Sequence, residues 1–164
     1  MTRKETYIAT CLLIVFGTSM HFVHHASFFN HFMGYIFPVT ESVAAHMKMV
    51  FYPMLMLSLY MTISRHDIRE AGAPILGGLT VMPLIVASFF CYWAFVRHEL
   101  MLLDIAIYIT AMIGAVHLTK RWRQSDFVLV CWPLWMVVSV LSIIAIGALT
   151  YNAPDCIIFA DLGQ

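Results

Sequence analysis

Five of the eight histidines (His21, His24, His25, His31 and His46) fall in one stretch, HFVHHASFFNHFMGYIFPVTESVAAHMK, together with Glu41 and Lys48. On a helix, side chains three and four residues apart share a side, so His21 with His24 or His25 can ligate the same ion. His46 on a second helix and Asp104 on a fourth can complete a set of histidines and one carboxylate. Such a set suits zinc ahead of copper, iron or haem. Glu41 or Asp155 would then stand ready as the base that takes a proton from water.

Each of these residues also has a plainer reading. Histidines near a membrane interface often bond only water, headgroups or backbone carbonyls. Thr40 or Ser42 can cap the second helix, and Glu41 in its first turn suits the helix dipole or an ion pair with Lys48. Asp104, in MLLDIAIY, has no basic neighbour on its own helix and needs a metal, a histidine or a proton. The twelve methionines raise copper, but flexible apolar packing accounts for most of them. Cys11, Cys91, Cys131 and Cys156 form no CxxC pair and read as apolar fillers.

The elements that must position these groups are membrane helices. Hydrophobic residues make up 62% of the chain and charged residues 11%, and mean hydropathy is +0.85, far from a soluble domain. Apolar runs near the 20 residues that span a bilayer lie at Thr6–Ala26, Glu41–Ser64, Pro74–Val96, Leu100–Thr119 and Phe127–Tyr151. Backbone exposed to lipid must satisfy its own hydrogen bonds, so the expectation is an all-α bundle of five transmembrane helices forming one domain over residues 1–164. Arg3 and Lys4 precede the first run, but no small-x-small cleavage pattern follows, so that run reads as a helix and not as a removed leader.

Basic residues set the orientation. With the N-terminus cytoplasmic, Arg3, Lys4, Arg65, Arg69, Lys120, Arg121 and Arg123 lie inside, and only Lys48 and Arg97 outside. The C-terminus is then extracytoplasmic, as is the histidine-rich loop. At 1.5 Å rise per residue, His21, His46 and Asp104 each lie roughly 7 Å inside the outer boundary, three ionisable groups on three helices in one layer.

Phe37-Pro38-Val39, Glu41-Ser42-Val43, His46-Met47-Lys48 and Phe51-Tyr52-Pro53 resemble the signature of an uncharacterised family of small bacterial multi-pass membrane proteins, PVNESVWEHLK followed by FxP. Asp104-Ile105, Thr150, Pro154 and Phe159 to Asp161 are similar to later parts of that pattern. The chain departs from it at Ala44-Ala45, where the family has Trp-Glu, and before Asp155, where a double proline is usual. The resemblance implies a multi-pass fold, in a bacterial inner membrane, and marks these positions; it supplies no reaction. HFVHH also resembles the HxxHH box of membrane di-iron enzymes, which carry several such boxes. The donor set is similar in chemistry alone to the ceramidase and progestin-receptor superfamily, whose seven-helix layout and closing HxxxH are absent here.

The leading expectation is a metal-dependent membrane hydrolase acting on a lipid or amphipathic substrate. The alternatives are metal or proton transport or delivery, and a haem-binding or structural subunit of a membrane complex. The expected partners are the bilayer, a lipid substrate, and a second copy or a larger complex. Zero net charge argues against nucleic acid.

Overall fold

The long apolar runs fold as helices, and their breaks fall where backbone chemistry demands them. The computed structural model describes residues 2–26, 32–40, 42–98 and 100–160, with the side chains of residues 21–26 outside that description. In chain order the helices are α1 (Arg3–Ala26), α2 (Val43–His46), α3 (Lys48–Arg65), α4 (Gly72–Val96), α5 (Met101–Trp122), α6 (Asp126–Val130) and α7 (Trp132–Tyr151), with 3-10 turns at Met33–Tyr35 and Ile68–Ala71. Among the described residues there is no strand. Four segments are long and apolar enough to cross a membrane: Val43–Arg65, Ile68–Val96, Met101–Trp122 and Trp132–Tyr151.

Two of the expected runs are interrupted. The second breaks at Met47, between α2 and α3. The last breaks at Cys131, between α6 and α7, because Pro133 has no N–H for the Leu129 carbonyl and its ring crowds that position. His66 (φ 52°) and Arg97 (φ 60°) take the left-handed conformation that closes α3 and α4.

Leu13 of α1, Val50, Met54, Leu57 and Met61 of α3, Val81 and Ile85 of α4, and Met112, Ala115 and Val116 of α5 form the apolar core. Helix α7 lies against α4 and leaves Val137, Leu141 and Ile144 exposed on its far side, as a lipid-facing helix should. Close approach in the core depends on glycine. A Cβ at Gly77 would stand 2.7 Å from the Ala115 carbonyl oxygen and 2.7 Å from Thr119 Oγ1, so α4 and α5 touch backbone to backbone there.

The end of the bundle that holds the start of α1 and the end of α5 is fastened by ion pairs. Arg123 donates through Nε and Nη2 to the two carboxylate oxygens of Glu70, the Nη2 bond at 2.6 Å, with the two side chains 14% and 15% exposed. Arg65 reaches Glu5 at 3.4 Å, and the Ser58 hydroxyl donates to the Ala71 carbonyl at 2.9 Å. A planar guanidinium facing a carboxylate with two bonds is geometry that lysine cannot reproduce.

Gly77→Val is expected to destabilise the protein by about 1–3 kcal/mol through overpacking. Gly114→Ala, whose new carbon meets only Val81 Cγ1 at 3.8 Å, is expected to be neutral or to gain up to about 1 kcal/mol of helix propensity. Thermal unfolding of the two variants in detergent checks this, and equal Tm values would refute the backbone contact.

Candidate functional site

The opposite end carries the loop of residues 32–40 and the groups with chemistry. Its scaffold starts from the segment PVTES. Ser42, buried and extended (φ −78°, ψ 150°), caps α2 by accepting from the Ala45 N–H at 3.2 Å, and the Thr40 hydroxyl donates to Ser42 Oγ at 3.0 Å. Of the two expected caps, Ser42 is therefore the cap and Thr40 its support. The Ser42 carbonyl serves a second purpose, since His46 Nδ1 lies 2.8 Å from it. A carbonyl can only accept, so Nδ1 is the protonated nitrogen, and in the neutral ring Nε2 holds the lone pair.

Two residues further on, Lys48 is buried, only 3% exposed. Its ammonium donates to the Gly34 carbonyl at 2.6 Å and the Phe37 carbonyl at 3.2 Å. The sequence reading set Lys48 against Glu41; its described partners are these loop carbonyls, and Glu41 lies outside the described residues. Tyr52 repeats the device, its hydroxyl donating to the Tyr35 carbonyl at 2.9 Å. Tyr35 in turn packs edge-on against Tyr151 at 5.2 Å, which joins the loop to the end of α7.

Asp104 stands in the first turn of α5, where a carboxylate also suits the helix dipole. Tyr92 of α4 donates its hydroxyl to Asp104 Oδ1 at 2.6 Å, and His46 lies within electrostatic reach of the same carboxylate. Two of the five expected metal ligands, His46 and Asp104, thus stand at the same end of the bundle on different helices. Tyr92 is not among the site residues expected from the sequence. The available signal was hairpin symmetry: Tyr92 lies six residues before His98 and Asp104 six after it, so an antiparallel pair turning there sets them side by side.

The other expected ligands, His21, His24 and His25, occupy the last two turns of the α1 backbone, and their side chains lie outside the described residues. What holds α1 there is described. Pro53 has no N–H for the Met49 carbonyl, and Gly17 backs on to that oxygen, which a Cβ would approach to 2.6 Å. Tyr108 of α5 touches Gly17 and shares its hydroxyl proton between the Leu13 and Ile14 carbonyls, each at 3.3 Å. So α1, α3 and α5 meet at one level, through Gly17, Met49 and Tyr108.

Asp155, the second expected base, is exposed in the tail, and among the described residues nothing joins it to His46 or Asp104. Among the described residues no cluster of three or more metal-binding side chains is present. His117 is exposed, and between it and Asp104 the buried face of α5 is apolar through Met112, Ala115 and Val116. The cysteines are all free thiols. The most deeply buried methionines, Met20, Met54, Met61 and Met112, pack in the bundle interior as flexible apolar filler.

Lys48→Met keeps the apolar stem and removes the ammonium, leaving the Gly34 and Phe37 carbonyls without their donor. The expected loss is about 1–3 kcal/mol per unsatisfied buried group, with proteolytic cleavage of the 32–40 loop accelerated while cleavage in the 66–71 connection is unchanged. Uniform acceleration at both connections would show that Lys48 is not a local strap.

No curated protein and no solved structure matches this chain. A family model matches residues 1–163, almost the whole length. That agrees with the uncharacterised family anticipated from the PVTESVAAHMK segment, and the chain belongs to the family of unknown function DUF6512.

Proposed function

We propose that the chain is a metal-dependent membrane hydrolase whose site lies at the loop end of the bundle, held by His46, Asp104 and one or two of His21, His24 and His25. The observation that carries the reading is the support around two of the ligands. His46 donates a hydrogen bond from Nδ1 to a backbone carbonyl, and Asp104 accepts one from the Tyr92 hydroxyl. Metal-binding imidazoles and carboxylates commonly have such partners, which fix the tautomer and aim the donor atom. Register supports the third ligand. One turn of about 5.4 Å beyond the Gly17, Met49 and Tyr108 level the chain reaches position 21 on α1, His46 before α3 and Asp104 on α5.

Zinc bound there would supply Lewis acidity and a water ionising near neutral pH. The chain's own residues do the rest. Asp104, set by Tyr92, contributes negative charge at a fixed position; His46 presents Nε2 because Ser42 holds Nδ1. Glu41, one residue before the Ser42 cap, is the candidate base for a water at the site. Transport through the bundle is the weaker reading, because the core beneath the polar layer is apolar on α1, α3, α4 and α5.

The proposed topology has five spans, with the 24-residue α1 as the first and the loop end extracytoplasmic. It follows from the basic residues: Arg65, Arg69 and Arg123 gather at the end opposite the loop, with the start of α1. In a bacterium that orientation puts the site on the outer side of the inner membrane, open to an amphipathic substrate.

Elemental analysis of the purified protein is expected to find about one zinc per chain, in line with a single three- or four-ligand site. His46→Ala and Asp104→Asn should abolish it. Tyr92→Phe should retain the metal with affinity reduced about 10–100-fold, the usual effect of losing an outer hydrogen bond. Wild-type protein that holds no divalent metal after zinc loading, and whose Tm is unmoved by a chelator, would sink the proposal.

A further inference from the structure

A second feature lies on the other side of α2 from His46. A recess of about 250 Å³ is walled by Met82 of α4, by Ala145, Ile146 and Leu149 of α7, by Ala45 of α2, and by Phe159 of the tail. The tail is held in place by a backbone bond from the Ala44 N–H to the Ile158 carbonyl at 3.1 Å. Along α7 the lining runs from Ser142 to Thr150, about 12 Å at helical rise.

Its polar lining groups are already engaged. Ser42 Oγ caps α2 and receives the Thr40 hydroxyl. Lys48 is bound to the Gly34 and Phe37 carbonyls. Ser142 donates to the Val138 carbonyl at 2.8 Å and Thr150 to the Ile146 carbonyl at 2.7 Å. With those groups satisfied inside the protein, the recess offers a ligand mainly hydrocarbon surface, and apolar sites of this kind bind apolar molecules rather than water.

We propose that this recess holds one acyl chain of a membrane lipid. It lies beside two membrane-length helices, α4 and α7, and Ala145 and Leu149 are exposed on its open side, so a chain can enter sideways from the bilayer. Thr40 and Phe159 line the loop end. His46 and Asp104 are not among the lining residues, so the assignment stands apart from the metal site.

The test is retention of palmitoyl-oleoyl phosphatidylethanolamine by protein reconstituted with that lipid, re-extracted into detergent, washed, and weighed by native mass spectrometry. Wild-type protein should keep one lipid per chain. Ala145→Phe, which fills the recess, should lower retention about tenfold or more, equivalent to losing roughly 1.4 kcal/mol or more of binding; Ile144→Phe, one position away and facing outward, should keep the lipid. Ala145→Val should give an intermediate loss and decides the matter should the phenylalanine variant not fold. Equal retention across wild type, Ala145→Phe or Ala145→Val, and Ile144→Phe would mean a surface lipid shell only. A dimer that disappears in Ala145→Phe, with no bound lipid, would mean that a second copy occupies the recess. Either result overturns the proposal.

Discussion

The loop end of this protein depends on one buried cation. Placing an ammonium where it is 3% exposed, near the start of a membrane helix, is costly unless its donors are used. Lys48 uses them on two carbonyls of the 32–40 loop, so the interaction that satisfies the charge also docks the loop. Because Lys48 is the first residue of α3, the docked loop is in register with the helix that carries the Gly17 contact. Tyr52, four residues further on, ties down the same loop through the Tyr35 carbonyl. Loop position and helix position are therefore a single arrangement, with Ser42 and His46 fixed between them.

This coupling explains why polar residues crowd a short stretch of an otherwise apolar chain. Ser42 caps α2, its carbonyl orients His46, and Lys48 holds the loop. Asp104 has no such support from its own helix and takes it from Tyr92 across the α4–α5 hairpin. The other end uses charge differently: Glu70 with Arg123, Arg65 with Glu5, and Asp67 with Arg69 are paired carboxylates and guanidiniums. There the half-buried Asp67 carboxyl is held below its ordinary range by hydrogen bonds from Arg69. Ion pairs fasten one end; single polar groups bonded to backbone organise the other.

Much of the fold was legible in sequence because lipid imposes a strong rule. Long apolar runs must be helices, and four of the five expected runs appear as membrane-length segments, with starts that move by up to six residues, from Pro74 to Ile68. The interruption at Cys131 could also be read, from Pro133. That His46 and Asp104 stand at one end of the bundle was legible through depth, since two ionisable groups at equal distance from a helix end share a layer. The partners were less accessible. Tyr92 needed the hairpin symmetry about His98, and the loop carbonyls that Lys48 bonds leave no mark in composition. Asp155 was proposed on its residue type and its place in the tail, where the fold leaves it exposed.

Gly17 shows how far the polar layer depends on backbone contact instead of side-chain chemistry. Pro53 frees the Met49 carbonyl, and only a residue without Cβ lets α1 approach that oxygen so closely. Tyr108 then bonds α1 carbonyls from the α5 side, so three helices are held at one height by groups that carry no charge. Asp104 is one turn from Tyr108 along α5, and His46 is three residues from Met49. The spacing between these two follows from the contact below them, and a shift of α3 or α5 by one residue would separate the pair by turning one side chain through about 100°. Beneath that level the core is apolar on α1, α3, α4 and α5, so the polar side chains of the loop end gather where the loop, α2 and the α4–α5 hairpin meet.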